Sequence, residues 1–159
     1  PLHSSAASDV YKRQNRATGS ICKRLGTKDG LILKKPLFEF FLKDDDLGDP
    51  LINRNHIVSF GWAKDDQLDE MIKISHEVND LLTKLFSNSG MILVDFKLEF
   101  GVSNKKILLG DEFTPDGCRL WDDQTLEKLD KDRFRQDLGD VIESYHMVAH
   151  RLGMQIKVD

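Results

Sequence analysis

The sequence predicts an α+β fold, with helices packed on a small antiparallel sheet, from three observations. Between Gln67 and Phe86, apolar residues recur at helical spacing: Leu68, Met71, Ile72, Val78, Leu81, Leu82 and Leu85. Met91 to Phe100 reads as a strand, and a second extended run from Lys105 to about Leu109 follows the turn Gly101 to Asn104, which is a hairpin pattern. Asp132 to Leu152 carries another helical stripe through Phe134, Leu138, Val141, Ile142, Tyr145, Val148, Ala149 and Leu152.

The remaining elements follow in chain order. Pro1 to Gln14 is small and polar without a sustained period, and Ser4 to Gln14 has the texture of a leader or joining scar. Residues 1–14 are therefore set apart from a domain spanning 15–159, a natural tail being the alternative. Ala17 to Leu25 predicts a short helix closed by Gly26, with Lys23 and Arg24 where cations suit the helix dipole. Leu31 to Leu33 and Leu37 to Leu42 read as short apolar segments separated by Pro36, and Lys43 to Pro50 as an acidic turn. Asp65 or Asp66 caps the helix over 67–86, and Gly90 follows its end. Thr114-Pro115-Asp116-Gly117 is a turn, and Thr125 to Leu129 reads as a short helix. Gly139 marks a kink or break in the last helix, at a cost of about 1 kcal/mol against alanine.

Composition excludes several classes. The 159 residues are 40% hydrophobic and 31% charged, enough for one domain with its own core. A net charge of -4 supplies no basic field for nucleic acid or an anionic membrane. No apolar run reaches membrane-spanning length, and the start lacks a signal-peptide core. Cys22 and Cys118 lie outside any C-x-x-C pattern and read as reduced thiols of a cytoplasmic protein.

Chemistry concentrates in Leu93-Val94-Asp95-Phe96-Lys97-Leu98-Glu99-Phe100-Gly101. As a strand it puts Val94, Phe96, Leu98 and Phe100 on one face and Asp95, Lys97 and Glu99 on the other. With Asp111 and Glu112 following, two carboxylates and a lysine suit a magnesium–phosphate site, because a hard cation takes oxygen ligands and phosphates take a cation. A solvated face shows the same alternation. If Phe100 pairs with Lys106, Asp111 lies opposite Asp95, and a one-residue slip breaks that relation. Other patterns fail on inspection. His146 and His150 sit one helical turn apart without the glutamate of H-E-x-x-H, and the loop from Asp44 places Gly48 one position early for calcium and Asn55 where glutamate is required. Neither a Walker-type nor a G-x-G-x-x-G phosphate loop occurs. Thr18-Gly19-Ser20 at a helix start offers N–H groups and a hydroxyl to a phosphate, or is an ordinary turn. Arg119 is either an anion clamp or a surface salt bridge, and Asp130 to Arg135 by default a solvated helix start.

Together these residues resemble the SAICAR synthetase (phosphoribosylaminoimidazole-succinocarboxamide synthase) family of purine synthesis. The strand Leu93–Gly101 looks like a family signature. Asn15 to Ser20, Phe41-Leu42-Lys43 with Asp49-Pro50, Gly110 to Phe113, Pro115 to Trp121 and Asp130 to Arg135 resemble the family in the same order. The resemblance implies a two-lobed ATP-binding α+β fold related to ATP-grasp and kinase-like folds. It also implies a ligase that joins L-aspartate to an aminoimidazole ribonucleotide carboxylate with cleavage of ATP, using Mg2+. By similarity, Glu99 and Asp111 hold magnesium and nucleotide, and Asp95 and Lys97 close by are, with Lys43, the catalytic residues. Ser20 and Arg119 bind the ribonucleotide phosphate, Asp116 the ribose, and Lys43 and Asp49 lie near the reacting carboxylate. Arg135 and Lys131 are further anion contacts.

Two departures accompany the resemblance. The family carries an arginine four residues before the threonine, where this chain has Gln14. Family members also have an upstream lobe with a glycine-containing turn and lysines over ATP. Without that lobe, the face of Val94, Phe96 and Leu98 is expected to lie uncovered, favouring self-association into a homo-oligomer. An inactive fragment serving only as a nucleotide-binding or interaction module is the alternative function. A related ATP-dependent ligase or kinase with another acceptor is a third.

Overall fold

In the computed structural model, which describes residues 9–103, 106–110, 117–130, 132–135 and 140–154, the centre of the sheet is β1 (Asp9–Arg16). It pairs antiparallel with β2 (Ile32–Leu42) on one edge and β4 (Met91–Ser103) on the other. Adding β3 (Leu51–Ile52) and β5 (Lys106–Leu109) gives the order β3-β2-β1-β4-β5. β6 (Cys118–Asp122) pairs with the first half of β4, on the edge opposite β1. Asp9 to Gln14, set apart on texture as part of residues 1–14, therefore belong to the central strand; residues 1–8 lie outside the described ones. Such a strand escapes a periodicity search because its order comes from pairing on both edges.

β2 runs unbroken through Pro36, where two segments were expected. The proline sits where the β1–β2 register shifts, between Gln14↔Leu37 and Arg16↔Ile32. β3 reaches only Phe40 and Phe41, so neither ladder needs the N–H that proline lacks. The β4–β5 register pairs Phe100 with Leu109 rather than with Lys106. The expected register would turn Lys106 toward the core, whereas the observed one buries Ile107. Asp111 lies outside the described residues.

α1 (Ser20–Leu25) ends, as expected, on Gly26 in the left-handed conformation. α2 (Arg54–Ser59) begins where the Asn53 side chain accepts from His56 N at 2.9 Å. α3 (Asp65–Ser87) packs across one face of the sheet. Its first residue pair, Asp65 and Asp66, occupies the first turn rather than the cap, and Lys64 N donates to Gln67 Oε1 at 2.9 Å. The buried stripe is Leu68, Met71, Ser75, Asn79 and Phe86, so Leu81 and Leu85 of the expected stripe are exposed. Asn79 earns its place by accepting from Asn15 Nδ2 at 2.9 Å, which ties α3 to β1.

Beneath α3 lie Phe96, Leu98 and Phe100 of β4 with Phe40, Ile107 and Leu120. Burying each large side chain contributes roughly 1.5–3 kcal/mol. Phe96 and Leu98 are thus covered within the chain itself, and Val94 is buried as well, contrary to the expectation of an open apolar surface. A register shift between Leu93 and Asp95 brings Leu93, rather than Val94, into the same cluster as Phe96.

After β6, a turn replaces the helix expected at Thr125 to Leu129. Asp122 Oδ1 accepts from Gln124 N at 2.9 Å and Thr125 N at 2.7 Å, folding the chain back so that Lys128 bridges Trp121. The Thr125 N–H and then the Arg151 guanidinium hold the Asp122 carboxyl well below the usual carboxylate range. The last helix is two, α4 (Asp132–Arg135) and α5 (Val141–Arg151), with Leu138 and Gly139 outside the described residues. In α5, Val148 and Ala149 are buried while Ile142 is exposed.

Candidate functional site

The face of β4 turned away from α3 carries Asp95, Lys97 and Glu99, as its alternation predicts. One cluster forms around Asp95, which is 3% exposed. Arg119 stands opposite it on β6 and donates from Nη1 to Asp95 Oδ2 at 2.7 Å. Gln14 stands opposite on β1 and donates from Nε2 to the same oxygen at 3.3 Å, and to Thr18 O at 3.3 Å. Arg119 Nε donates to Asp132 Oδ2. Burial opposes the charge on Arg119, but Asp95 and Asp132 outweigh it, so its proton is held more tightly than in water.

Gly19 packs directly on this guanidinium. Its φ is +69, and a Cβ there would lie 3.0 Å from Arg119 Nη2. Nη2 therefore lies against Gly19, the residue before exposed Ser20, with no hydrogen-bond partner among the described residues. The neighbouring Thr18 hydroxyl is committed elsewhere, donating to Asp29 Oδ1 at 2.6 Å.

A second cluster surrounds Glu99. Lys43 Nζ lies 2.5 Å from its Oε2, and Lys97 Nζ 3.5 Å from its Oε1. Lys43 follows directly on β2, and the acidic turn after it closes on itself, Asp49 Oδ1 accepting from Asp44 N at 3.0 Å. Asp49 is thus close to Lys43 in the chain, with one carboxylate oxygen turned back into its own loop. Each Glu99 oxygen thus faces an ammonium group, so a hard cation held there would take the place of a lysine, and the lysines themselves suit phosphate oxygens. Among the described residues, no three His, Cys, Asp or Glu group as a metal site, and His146 and His150 are both exposed. Asp95 and Glu99 are four residues apart on one strand, about 13 Å.

Comparison with known proteins identifies the frame. The SAICAR synthetase family model matches residues 13–152. The chain belongs to the SAICAR synthetase family. It is 62% identical over 141 residues to the phosphoribosylaminoimidazole-succinocarboxamide synthase of Alcanivorax borkumensis, covering 89% of this chain and 59% of that protein. The crystal structure of the Ehrlichia chaffeensis synthase superposes with a TM-score of 0.88 at 43% identity, covering 94% of this chain and 65% of that one. A SAICAR synthetase solved in complex with ADP gives a TM-score of 0.89 at 40% identity, covering 94% and 65%. The chain thus spans about three fifths of the length of the relatives it matches.

Within this SAICAR synthetase frame, several members of the two clusters were not legible from the sequence. Asp130 and Asp132, expected on a solvated helix start, are 1% and 3% exposed, and Arg119 is a buried ion-network centre rather than a surface pair. Gln14, noted only as a departure from the family, is fully buried between Asp95 and Thr18. The available signal was a cluster of acids around one arginine, but only the β4–β6 pairing shows that they meet. Asp111, Asp116 and Lys131 lie outside the described residues, and Arg135 is the last residue of α4.

Proposed function

We propose that this chain carries the ribonucleotide-binding and metal-binding part of an ATP-dependent ligase. The reaction joins L-aspartate to the carboxylate of 5-amino-1-(5-phosphoribosyl)imidazole-4-carboxylate, giving SAICAR, ADP and phosphate. The observation that carries it is the pair of clusters on one sheet face: an anchored arginine beside Gly19 and Ser20, and a lysine-flanked carboxylate four residues along β4. A carboxylate is a poor electrophile, so ATP converts it to an acyl phosphate that the aspartate amine then attacks. Arg119 and Ser20 bind the ribonucleotide phosphate at one end, where a guanidinium with an uncommitted Nη2 lies against Gly19, the residue before Ser20. Asp95 holds Arg119 in place, Asp116 takes the ribose, and Arg135 adds positive charge. Lys43, Asp49 and Lys97 lie on the side of the reacting carboxylate, the two lysines offsetting its charge and that of the phosphates. Glu99 and Asp111 hold Mg2+ and the nucleotide; magnesium, when bound, neutralises the phosphates and keeps the transferring group in line.

The ADP complex of a relative supports the nucleotide assignment. The partners in this reading are small molecules, with neither nucleic acid nor membrane among them. Among the described residues no helix is long and apolar enough to cross a membrane, and Cys22 and Cys118, which form no disulfide among the described residues, fit a cytoplasmic setting. The alternative reading is a module that binds nucleotide without turnover.

Phosphate release with ATP, magnesium, L-aspartate and the imidazole carboxylate separates them. It is measured for this chain and for a chimera carrying residues 13–152 in the corresponding place of the Alcanivorax synthase. Turnover by the chimera, lost roughly 100-fold or more in Glu99→Ala, is the expected result. An active chimera indifferent to Glu99→Ala would remove the metal assignment. Binding without turnover in both proteins would favour the module.

A further inference from the structure

The strand bearing Arg119 and the helix start bearing Asp132 are separate elements, yet one buried carboxylate joins them. Asp130 Oδ2 accepts from Leu120 N at 2.9 Å, the residue next to Arg119. Asp130 Oδ1 accepts from Asp132 N at 2.8 Å. One oxygen therefore fixes the peptide joining Arg119 to Leu120, and the other the amide of Asp132 itself. The site is costly. Burial pushes the Asp130 carboxyl up to about 6, and Asp132 pushes the same way, against the two N–H groups and Arg119. A carboxylate kept ionised beside another, at 1% exposure, is a poor choice for stability alone.

We infer that Asp130 is a positioning residue for phosphate recognition: it sets the separation of Arg119 and Asp132, and so holds Arg119 Nη2 against Gly19, the residue before Ser20. The inference rests on Arg119 being the phosphate anchor. Removing both acceptors lets β6 and α4 move apart and the guanidinium swing from its alignment.

The test is calorimetric titration of this chain with ribose 5-phosphate, run with Asp130→Ala, Asp130→Asn, Arg119→Ala and the double variant Arg119→Ala/Asp130→Ala. Folding of each is checked by circular dichroism. Asp130→Ala weakens binding roughly tenfold, and Asp130→Asn, which keeps one acceptor oxygen, by less. In the Arg119→Ala background the Asp130 change adds under about twofold, because both act through one guanidinium. A merely structural role lowers the melting temperature in both backgrounds and leaves the affinity of the folded protein alone. Unchanged affinity in the folded Asp130 variants, or multiplying losses in the double variant, overturns the inference. If Asp130→Ala does not fold, Asp130→Asn decides alone. Unchanged affinity in Arg119→Ala, or no binding by the parent, instead overturns the phosphate anchor on which the inference depends.

Discussion

Arg119→Met tests the ion network most directly. The substitution keeps the aliphatic stem and deletes the cation shared by Asp95 and Asp132, whose side chains are each 4% exposed. Removing one partner of a buried ion network costs about 3–5 kcal/mol, because the remaining charge stays desolvated. Gln14 Nε2 cannot compensate, being neutral and 3.3 Å from Asp95 Oδ2. The expected loss is a large share of the roughly 5–15 kcal/mol available to a domain. It is measured by urea unfolding at pH 7, followed by circular dichroism. The triple variant Arg119→Met/Asp95→Asn/Asp132→Asn removes the cation together with both carboxylates paired to it and is expected to recover about 2 kcal/mol or more of the loss. A loss under about 1 kcal/mol in Arg119→Met would mean that water, not the guanidinium, satisfies the two carboxylates. A triple variant no more stable than the single one would refute the buried-charge reasoning altogether.

Two other substitutions probe the same corner. Gly19→Ala forces an L side chain into φ +69 with its Cβ 3.0 Å from Arg119 Nη2. A loss of about 1–2 kcal/mol from the backbone alone is expected, read by calorimetry as a lower melting temperature; an unchanged one would contradict the close approach. Asp130→Asn removes a carboxyl whose folded value, about 6, stands above its ordinary 3.8. The ionised form is the penalised one in the folded state, so this group favours folding most at low pH and loses that contribution as pH rises through 4 to 6. The parent is therefore expected to lose up to about 3 kcal/mol relative to Asp130→Asn between pH 4 and pH 7. Parallel stability curves for the two proteins across that range would rule out the raised value.

What the sequence made legible was local. The α3 helix, the Gly26 stop and the charged face of β4 all follow from spacing within a few residues, and each is present in the structure. What it concealed depends on partners far along the chain. Gln14 and Asp95 are 81 positions apart and Arg119 and Asp95 24, and nothing in either neighbourhood states that they meet. β1 shows the difference most clearly. A half-covered strand announces itself by alternation, whereas Asp9 to Gln14 is held by pairing on both sides and reads as a polar leader. Asp130 and Asp132 make the same point about charge: two residues apart in an apparently solvated run, both are buried because β6 and α4 converge on them. Local consistency breaks at these polar residues, in strands and at helix starts where apolar or solvated ones would be cheaper. Such breaks are retained where function constrains the fold, and here they fall together on the face that carries Arg119 and Glu99. The resemblance pointed to residue types. The pairing of β4 with β1 and β6 is what turns that inventory into a site, by making Arg119 a fixed cation rather than a surface one.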